Sequence, residues 1–441
     1  MKKRKKRRGI SLGTWLMLLL TAVVMMACVT FVWMIAGDGL YEKTGAFIRS
    51  LSERGLFEET PIIRDAAVPT TASASFLMEE TPAPAMPSVT PVPRPEQVSL
   101  TISAAGTVYA PKAVRESVQN GTDHFDFAPV FEGLGNTLSD ADLAIATLET
   151  TTAGADRGFD NYNTAPEILD GLRACGIDLL SLATEHALDK GYDGLDLTVS
   201  DLTARGLNYA GVYPDGAGSA RATMLSIGGV NVAVLAYAYG LSDEGVKKTD
   251  GDRLGALAMI SVSDMERDIT EARVAGANLV VVLPHWGTKN KMETADTVRH
   301  MARQLATAGA DVILGTHPNV PQGTERMTVT RADGLEYDAV VCYSLGSLLS
   351  DARTKENTAG MVAHVPVTYD PATRRTTIGE MYCTPVYIAR QREDGDTVYR
   401  VVDAEDRQKT EKLEESEQRA AQEAVELIRS VTAGDEQEGH G

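Results

Sequence analysis

Five polar clusters in this chain stand directly after strand-like apolar runs, and three of them centre on a histidine. They are Ala104–Thr107, Thr147–Thr150, Ala183–Asp189, His285–Gly287 and Gly315–Asn319. Between them they carry Glu149, His186, His285 and His317. Carboxylate plus imidazole is the chemistry of a divalent metal site. Any one of these residues alone reads most simply as a satisfied polar group at a strand end. As a set they read differently, because ligands in α/β folds bind beyond the carboxyl ends of strands. The chain has only seven histidines, so three at such positions is a large share. Asp189, three residues after His186, is placed to brace that turn and orient the imidazole. Gly106, Trp286, Tyr343 and Ser344 flank the same strand ends and are expected at the cleft, Trp286 as a wall and the two hydroxyls as polar groups facing it.

The elements that must position these residues alternate along the chain. Near-continuous apolar runs predict strands at Ser99–Ala104, Leu143–Thr147, Asp178–Leu182, Asn231–Tyr237, Leu279–Leu283, Val312–Leu314 and Ala339–Ser344, as expected when both faces of a sheet are covered. Helices are expected at Pro166–Cys175, Asp193–Arg205, Val262–Ala275 and Ala295–Ala308. Pro166 is suited to open its helix, and Gly176 and Gly276 to follow theirs. Met361–Tyr369 and Arg375–Tyr382 predict a closing antiparallel pair. Within Asp403–Val431, apolar residues at helical spacing predict an amphipathic helix that packs on the domain or on a partner.

The amino terminus is basic from Lys2 to Arg8, and Ile10–Ala36 then holds no charged residue. As a helix those residues span about 40 Å, enough to cross a hydrocarbon core of about 30 Å with some tilt. Trp15 and Trp33 suit the interfacial belt, and the positive charges place the amino terminus in the cytoplasm. A cleaved signal peptide is the competing reading, but the apolar run continues past Cys28 and no A-x-A site follows it. The expected organisation is a cytoplasmic segment 1–9, a single-pass cell-membrane anchor 10–36, a juxtamembrane segment and stalk 37–97, an extracellular domain 98–390 and a charged extension 391–441. The stalk reading rests on the closely spaced prolines of Ala66–Gln97, which favour extended chain. Removing the seven basic terminal residues takes the formal net charge from −19 to −26. So acidic a domain is a poor partner for nucleic acid. Cys175, Cys342 and Cys383 lack C-x-x-C spacing, which excludes a zinc finger and a disulfide framework as readings.

The order of motifs resembles the CapA family, linked to synthesis of poly-γ-glutamate capsules in bacteria. The resemblance runs from about Ser99 to Asp351. It is carried by Ala141-Asp142-Leu143 through Leu148-Glu149-Thr150, Tyr162-Asn163-Thr164-Ala165-Pro166-Glu167, Gly176-Ile177-Asp178, His186-Ala187-Leu188-Asp189-Lys190-Gly191, His285-Trp286-Gly287, Gly309-Ala310-Asp311, Gly315-Thr316-His317-Pro318 and Tyr343-Ser344-Leu345-Gly346. It implies a fold related to the calcineurin-like metallophosphatases, an α/β/β/α sandwich of four layers. It also brings departures. The family's Gly-Asp is here Gly106-Thr107, its Asn-Asn-His is Thr184-Glu185-His186, and its His-Pro-His is His317-Pro318-Asn319. Thr107 cannot bridge two cations as a carboxylate does, and Asn319 is a weaker ligand than imidazole. Glu185 can supply a carboxylate in return. The matched set of Glu149, His186, His285 and His317 is therefore expected to hold one divalent ion at most.

Two functions follow as expectations. One is a metal-dependent hydrolase or transferase of capsule or cell-envelope polymer synthesis, with Glu185 or Asp189 as proton acceptor beside His186. The other is a non-catalytic binding or scaffolding module of the same assembly. The expected partners are the membrane and either an anionic envelope polymer or membrane proteins of capsule synthesis.

Overall fold

The computed structural model describes residues 95–433, apart from 215, 217–220, 250–252, 254, 332–333 and 335. The expected anchor Ile10–Ala36 and nearly all of the stalk lie outside the described residues. No helix among those described is long and apolar enough to cross a membrane.

Fifteen strands are described, in two sheets. They are β1 (Val98–Val108), β2 (Leu143–Leu148), β3 (Leu179–Ser181), β4 (Asn208–Ala210), β5 (Thr223–Ile227), β6 (Val230–Ala238), β7 (Leu279–His285) and β8 (Val312–Leu314). The remainder are β9 (Thr324–Thr330), β10 (Glu336–Cys342), β11 (Ser347–Leu349), β12 (Ala359–Asp370), β13 (Arg375–Ile378), β14 (Tyr382–Glu393) and β15 (Asp396–Asp403). The first sheet runs β15-β14-β12-β1-β2-β3-β4, with β11 on β1 and β13 on β12. The second runs β5-β6-β7-β8-β10-β9. Both are mixed: β1 to β4 are parallel, as are β6, β7, β8 and β10, and antiparallel strands flank each set.

Alternation along the second sheet explains its layers. Val232, Val234, Ala236, Val281, Leu283 and Leu314 pack in one core with β1, β2 and β3 residues such as Ile102, Ile145 and Leu180. Their neighbours Leu235, Tyr237, Val280, Val282 and Ile313 point the other way, against Ile269 and Leu305 of the helices Val262–Val274 and Asp296–Ala308. A strand buried on both faces cannot alternate polar with apolar, which is why β7 is wholly buried and reads LVVVLPH. Each fully buried Val or Leu contributes about 1.5–3 kcal/mol. The first sheet is covered outside by helix residues such as Phe131 and Leu172, and by the helix Glu415–Thr432, whose Ala421, Ala424 and Val425 pack on Tyr387 and Ala389. The layers are therefore α/β/β/α.

Two details of the antiparallel side differ from expectation. The expected strand Arg375–Tyr382 is interrupted after Ile378, where the pairing with β12 slips by a residue before β14 resumes it. Gly379 sits at the slip, its N–H donating to Pro366 O. Within Asp403–Val431 the chain forms a separate short helix, Arg407–Thr410, before the amphipathic helix that begins at Glu415.

Candidate metal centre

The parallel strands of the two sheets deliver their carboxyl ends to one cleft. Thr107 lies at the end of β1, Glu149 directly follows β2, and the turn Thr184-Glu185-His186 follows β3. From the second sheet, Tyr239 directly follows β6, His285 ends β7, and His317 comes three residues after β8. Glu185 is the meeting point. Its Oε2 lies 2.6 Å from His285 Nε2, and its Oε1 lies 3.3 Å from His317 Nδ1 and 3.6 Å from His186 Nε2. His186 Nε2 is in turn 4.0 Å from Glu149 Oε1. Two triads result, Glu185–His285–His317 and Glu149–Glu185–His186, each with its ligand atoms within 4.8 Å of one another, and both contain Glu185.

The imidazoles are held from behind. Asp189 Oδ2 is 2.7 Å from His186 Nδ1, and its Oδ1 accepts the Ser242 hydroxyl. The His186 ring stacks on Tyr162, centroids 3.3 Å apart. His285 Nδ1 is 2.9 Å from Thr316 Oγ1. A carboxylate only accepts, so without an ion His285 carries its proton on Nε2 toward Glu185 and accepts the Thr316 hydroxyl at Nδ1; serving as a ligand through Nε2 requires the tautomer with the proton on Nδ1, donated to Thr316 Oγ1. His317 occupies the left-handed region at φ 97°. Such backbone costs about 1–3 kcal/mol in a side-chain-bearing residue and persists where the surroundings over-determine it, commonly at functional sites.

The donor set fits a divalent cation. Glu149 Oε2, His317 Nδ1, Thr107 Oγ1, Thr184 Oγ1 and Asn319 Oδ1 are all buried without a hydrogen-bond partner in the protein. The contact of His317 Nδ1 with Glu185 has ion-pair distance but not hydrogen-bond geometry. Each buried orphan costs about 1–3 kcal/mol if left unpaired, and a bound cation is one partner that takes up such lone pairs. The electrostatics agree. Burial, then the charge of Glu185, pushes the Glu149 carboxyl up to about 8, against the opposing pull of Lys289. Burial also acts to raise Glu185, but the His285 hydrogen bond and the His317 imidazole outweigh it and hold Glu185 well below the usual carboxylate range. Burial lowers His285, against Glu185, which favours the neutral imidazole a metal requires.

The other residues expected at the cleft divide. Thr107 and Asn319 present their orphaned oxygens among the buried polar atoms just described. Gly106 serves close approach: a Cβ there would meet Gly346 O at 2.1 Å, so only glycine lets β1 pass beside the Leu345–Gly346 turn. Trp286 is not a cleft wall. It is buried in the helix-side core, and its Nε1 donates to Tyr343 O. Successive residues of extended chain point to opposite faces, so with His285 facing the cleft Trp286 must face away. Tyr343 lies in the same helix-side core, its hydroxyl donating to Glu325 and its ring under Arg299. Ser344 is wholly buried and donates to Val320 O. Three residues that were not expected at the cleft do line the site. They are Tyr162, Tyr239, whose ring is 4.4 Å from that of His317, and Lys289, whose Nζ is 4.0 Å from Glu149 Oε1. Burial, then the carboxylates Glu185 and Glu149, pushes the Tyr239 hydroxyl up to about 12. Tyr239 was findable by the same strand-end rule; Tyr162 and Lys289 sit on loops and carried no such signal.

Comparison with known proteins places this geometry in context. "Capsule biosynthesis protein CapA" of Bacillus anthracis is 25% identical over 286 residues, 61% of this chain and 65% of that protein. "PGA biosynthesis protein CapA" of Bacillus subtilis (strain 168) is 29% identical over 203 residues, 45% of this chain and 50% of that protein. The matched region thus spans one half to just under two thirds of these relatives. Among solved structures, the calcineurin-like phosphoesterase YfkN from Bacillus subtilis is similar at 15% identity and a TM-score of 0.41, covering 76% of this chain and 100% of that one. A phosphatase from Mycoplasma pneumoniae is similar at 15% identity and a TM-score of 0.38, covering 66% and 95%. The family described as bacterial capsule synthesis protein PGA_cap matches residues 101–352, more than half of the chain and all of the strand ends that build the centre, and the chain belongs to that family.

Proposed function

We propose that this chain is a membrane-anchored extracellular protein of poly-γ-glutamate capsule or cell-envelope polymer synthesis, acting as a metal-dependent hydrolase or transferase on one divalent ion. The observation that carries the reading is Glu185 shared by two imidazole–carboxylate triads, in which Glu149 Oε2 and His317 Nδ1 lack hydrogen-bond partners. Glu185, His285 and His317 form the tighter triad and would hold the ion, with Glu149 and His186 within reach. Once bound, the ion would polarise a scissile carbonyl or phosphoryl group and acidify water. The chain's own residues supply the rest. Asp189 fixes the His186 ring so that Nε2 faces the carboxylates, and His186 takes or returns a proton there while Asp189 steadies the imidazolium. Glu149, with its carboxyl pushed up to about 8, is poised to hold a proton near neutral pH. Tyr162 and Tyr239 wall the cleft.

The full-length chain, purified in detergent and dialysed against metal-free buffer, is expected to take up one divalent ion by calorimetry and mass spectrometry. It should then cleave a γ-linked polyglutamate chain or a phosphoester. Uptake of no ion overturns the reading. A second reading, a non-catalytic scaffold for membrane proteins of capsule synthesis, draws on Thr107 and Thr184, neutral hydroxyls buried without partners at the centre. Metal uptake without turnover of either substrate class assigns that role. The anchor is supported by the uncharged run Ile10–Ala36 behind seven basic residues. Protease added to intact protoplasts should release the acidic domain by cutting within Ala66–Gln97. A soluble secreted form starting near Gly37 would instead show a cleaved signal.

A further inference from the structure

We propose that Lys289 is a built-in cation for the Glu149 half of the centre, and that it limits the cleft to one divalent ion. This rests on the metal-site reading above. The two triads share Glu185, so the geometry by itself offers a place for two ions about a common carboxylate, the arrangement that holds paired cations about 3.5–4 Å apart. The halves are not equivalent. The His285–His317 half is wholly buried, and no lysine or arginine lies within ion-pair distance of it among the described residues. The Glu149 half has the Lys289 ammonium 4.0 Å from Glu149 Oε1.

That lysine is held in place by its loop. Gly287 and Asn290, two residues before it and one after, both adopt positive φ, 88° and 60°. Asn290 N donates to Pro318 O at 2.8 Å, beside His317, and Asn290 Oδ1 accepts from Asn357 Nδ2, which also donates to Asn319 O. The turn after β7 is thereby tied to the turn after β8, which fixes the backbone from which the Lys289 side chain reaches Glu149. An ion bound to Glu149 would stand about 2.0–2.2 Å from the carboxylate oxygen. It would stand near the ammonium, and the two like charges repel, less than in a dry interior because the Lys289 side chain is 44% exposed. Lys289 thus places one positive charge beside the Glu149 half before any ion arrives, and a second divalent ion there would have to displace it or stand against it. Because the side chain is 44% exposed, replacing Lys289 removes the charge without opening the core.

The test measures ion stoichiometry and affinity on the full-length chain in detergent, using Mn²⁺ and Zn²⁺ as probes, for the unmodified protein, K289M and K289R. One ion is expected for the unmodified chain and for K289R. Two are expected for K289M, the second at least about tenfold weaker than the first. One ion in both K289M and the unmodified chain overturns the inference and leaves the one-ion reading standing. Two ions in the unmodified chain also overturn it, since Lys289 then limits nothing. If neither protein binds an ion, the metal-site reading itself fails, and the inference with it.

Discussion

Two buried histidine neighbourhoods in this molecule are built from opposite materials. His364, on β12, is closed by neutral hydroxyls. Its Nδ1 is 2.8 Å from Ser103 Oγ, its Nε2 is 3.0 Å from Thr384 Oγ1, and its ring stacks on Tyr382. Burial lowers it to about 4, and among the described residues no carboxylate is an ion-pair partner to it. At the cleft, His186, His285 and His317 share three carboxylates, and donor atoms around them lack partners. The first is a finished structural histidine; the second has bonding capacity left over. The contrast shows that what separates a ligand histidine from a core histidine is the charge and saturation of its neighbours, since both kinds are buried.

The largest expected effect is at Glu185. Removing one partner of a buried, paired charge destabilises by about 3–5 kcal/mol. E185A should lose that much in denaturant unfolding of the metal-free chain, and calorimetry should detect no metal binding. A loss below about 1 kcal/mol with binding intact would mean that Glu185 is no hub. Next comes metal itself. At a free ion concentration 100 times Kd, stabilisation of about 2.7 kcal/mol is expected, seen as a rise in Tm. H285A should abolish this rise and H364Q should leave it intact. If H364Q abolishes it too, the contrast between the two neighbourhoods collapses.

The third prediction concerns pH. His364 has its folded pKa below its unfolded value of 6.5, so between about 6.5 and 4 the unfolded chain binds a proton that the folded chain refuses. Stability from this group is complete above pH 6.5 and is lost as pH falls through that window. The shift corresponds to about 2–3 kcal/mol after allowance for residual solvent. The unmodified chain should therefore lose about that much more stability than H364Q between pH 7 and pH 4. Equal slopes would place His364 in a wetter setting. The smallest effect is S103A, which removes one neutral hydrogen bond and should cost about 1 kcal/mol with no change in metal affinity. A larger cost, or a shift in affinity, would link the two regions.

Much of the fold was legible because the strands that carry the site are buried on both faces. β2, β6, β7 and β8 read as apolar runs, and each was expected within a residue or two of its observed limits. The strands that escaped, such as β5, β9 and β15, have one face to solvent, and polar residues such as Thr324, Glu325 and Arg326 obscure them. The site was legible in part. Glu149, His186, His285 and His317 do converge, with Glu185 shared among them. Trp286 and Tyr343 do not, although the two-residue period of extended chain already placed Trp286 on the face opposite His285.

Residue type and order alone determined that polar clusters end apolar strands, that the domain is acidic, and that an uncharged run of membrane-spanning length precedes it. Only the tertiary structure decided that Glu185 sits between the histidines and that Lys289 reaches Glu149. Both depend on bringing residues about a hundred positions apart or more to within 4 Å, and no local periodicity encodes such a distance. Burial decided the rest: the same carboxyl group is an ordinary acid on a loop, and in this cleft Glu149 is pushed up to about 8 while Glu185 is driven down, because water has been replaced by imidazoles and by another carboxylate.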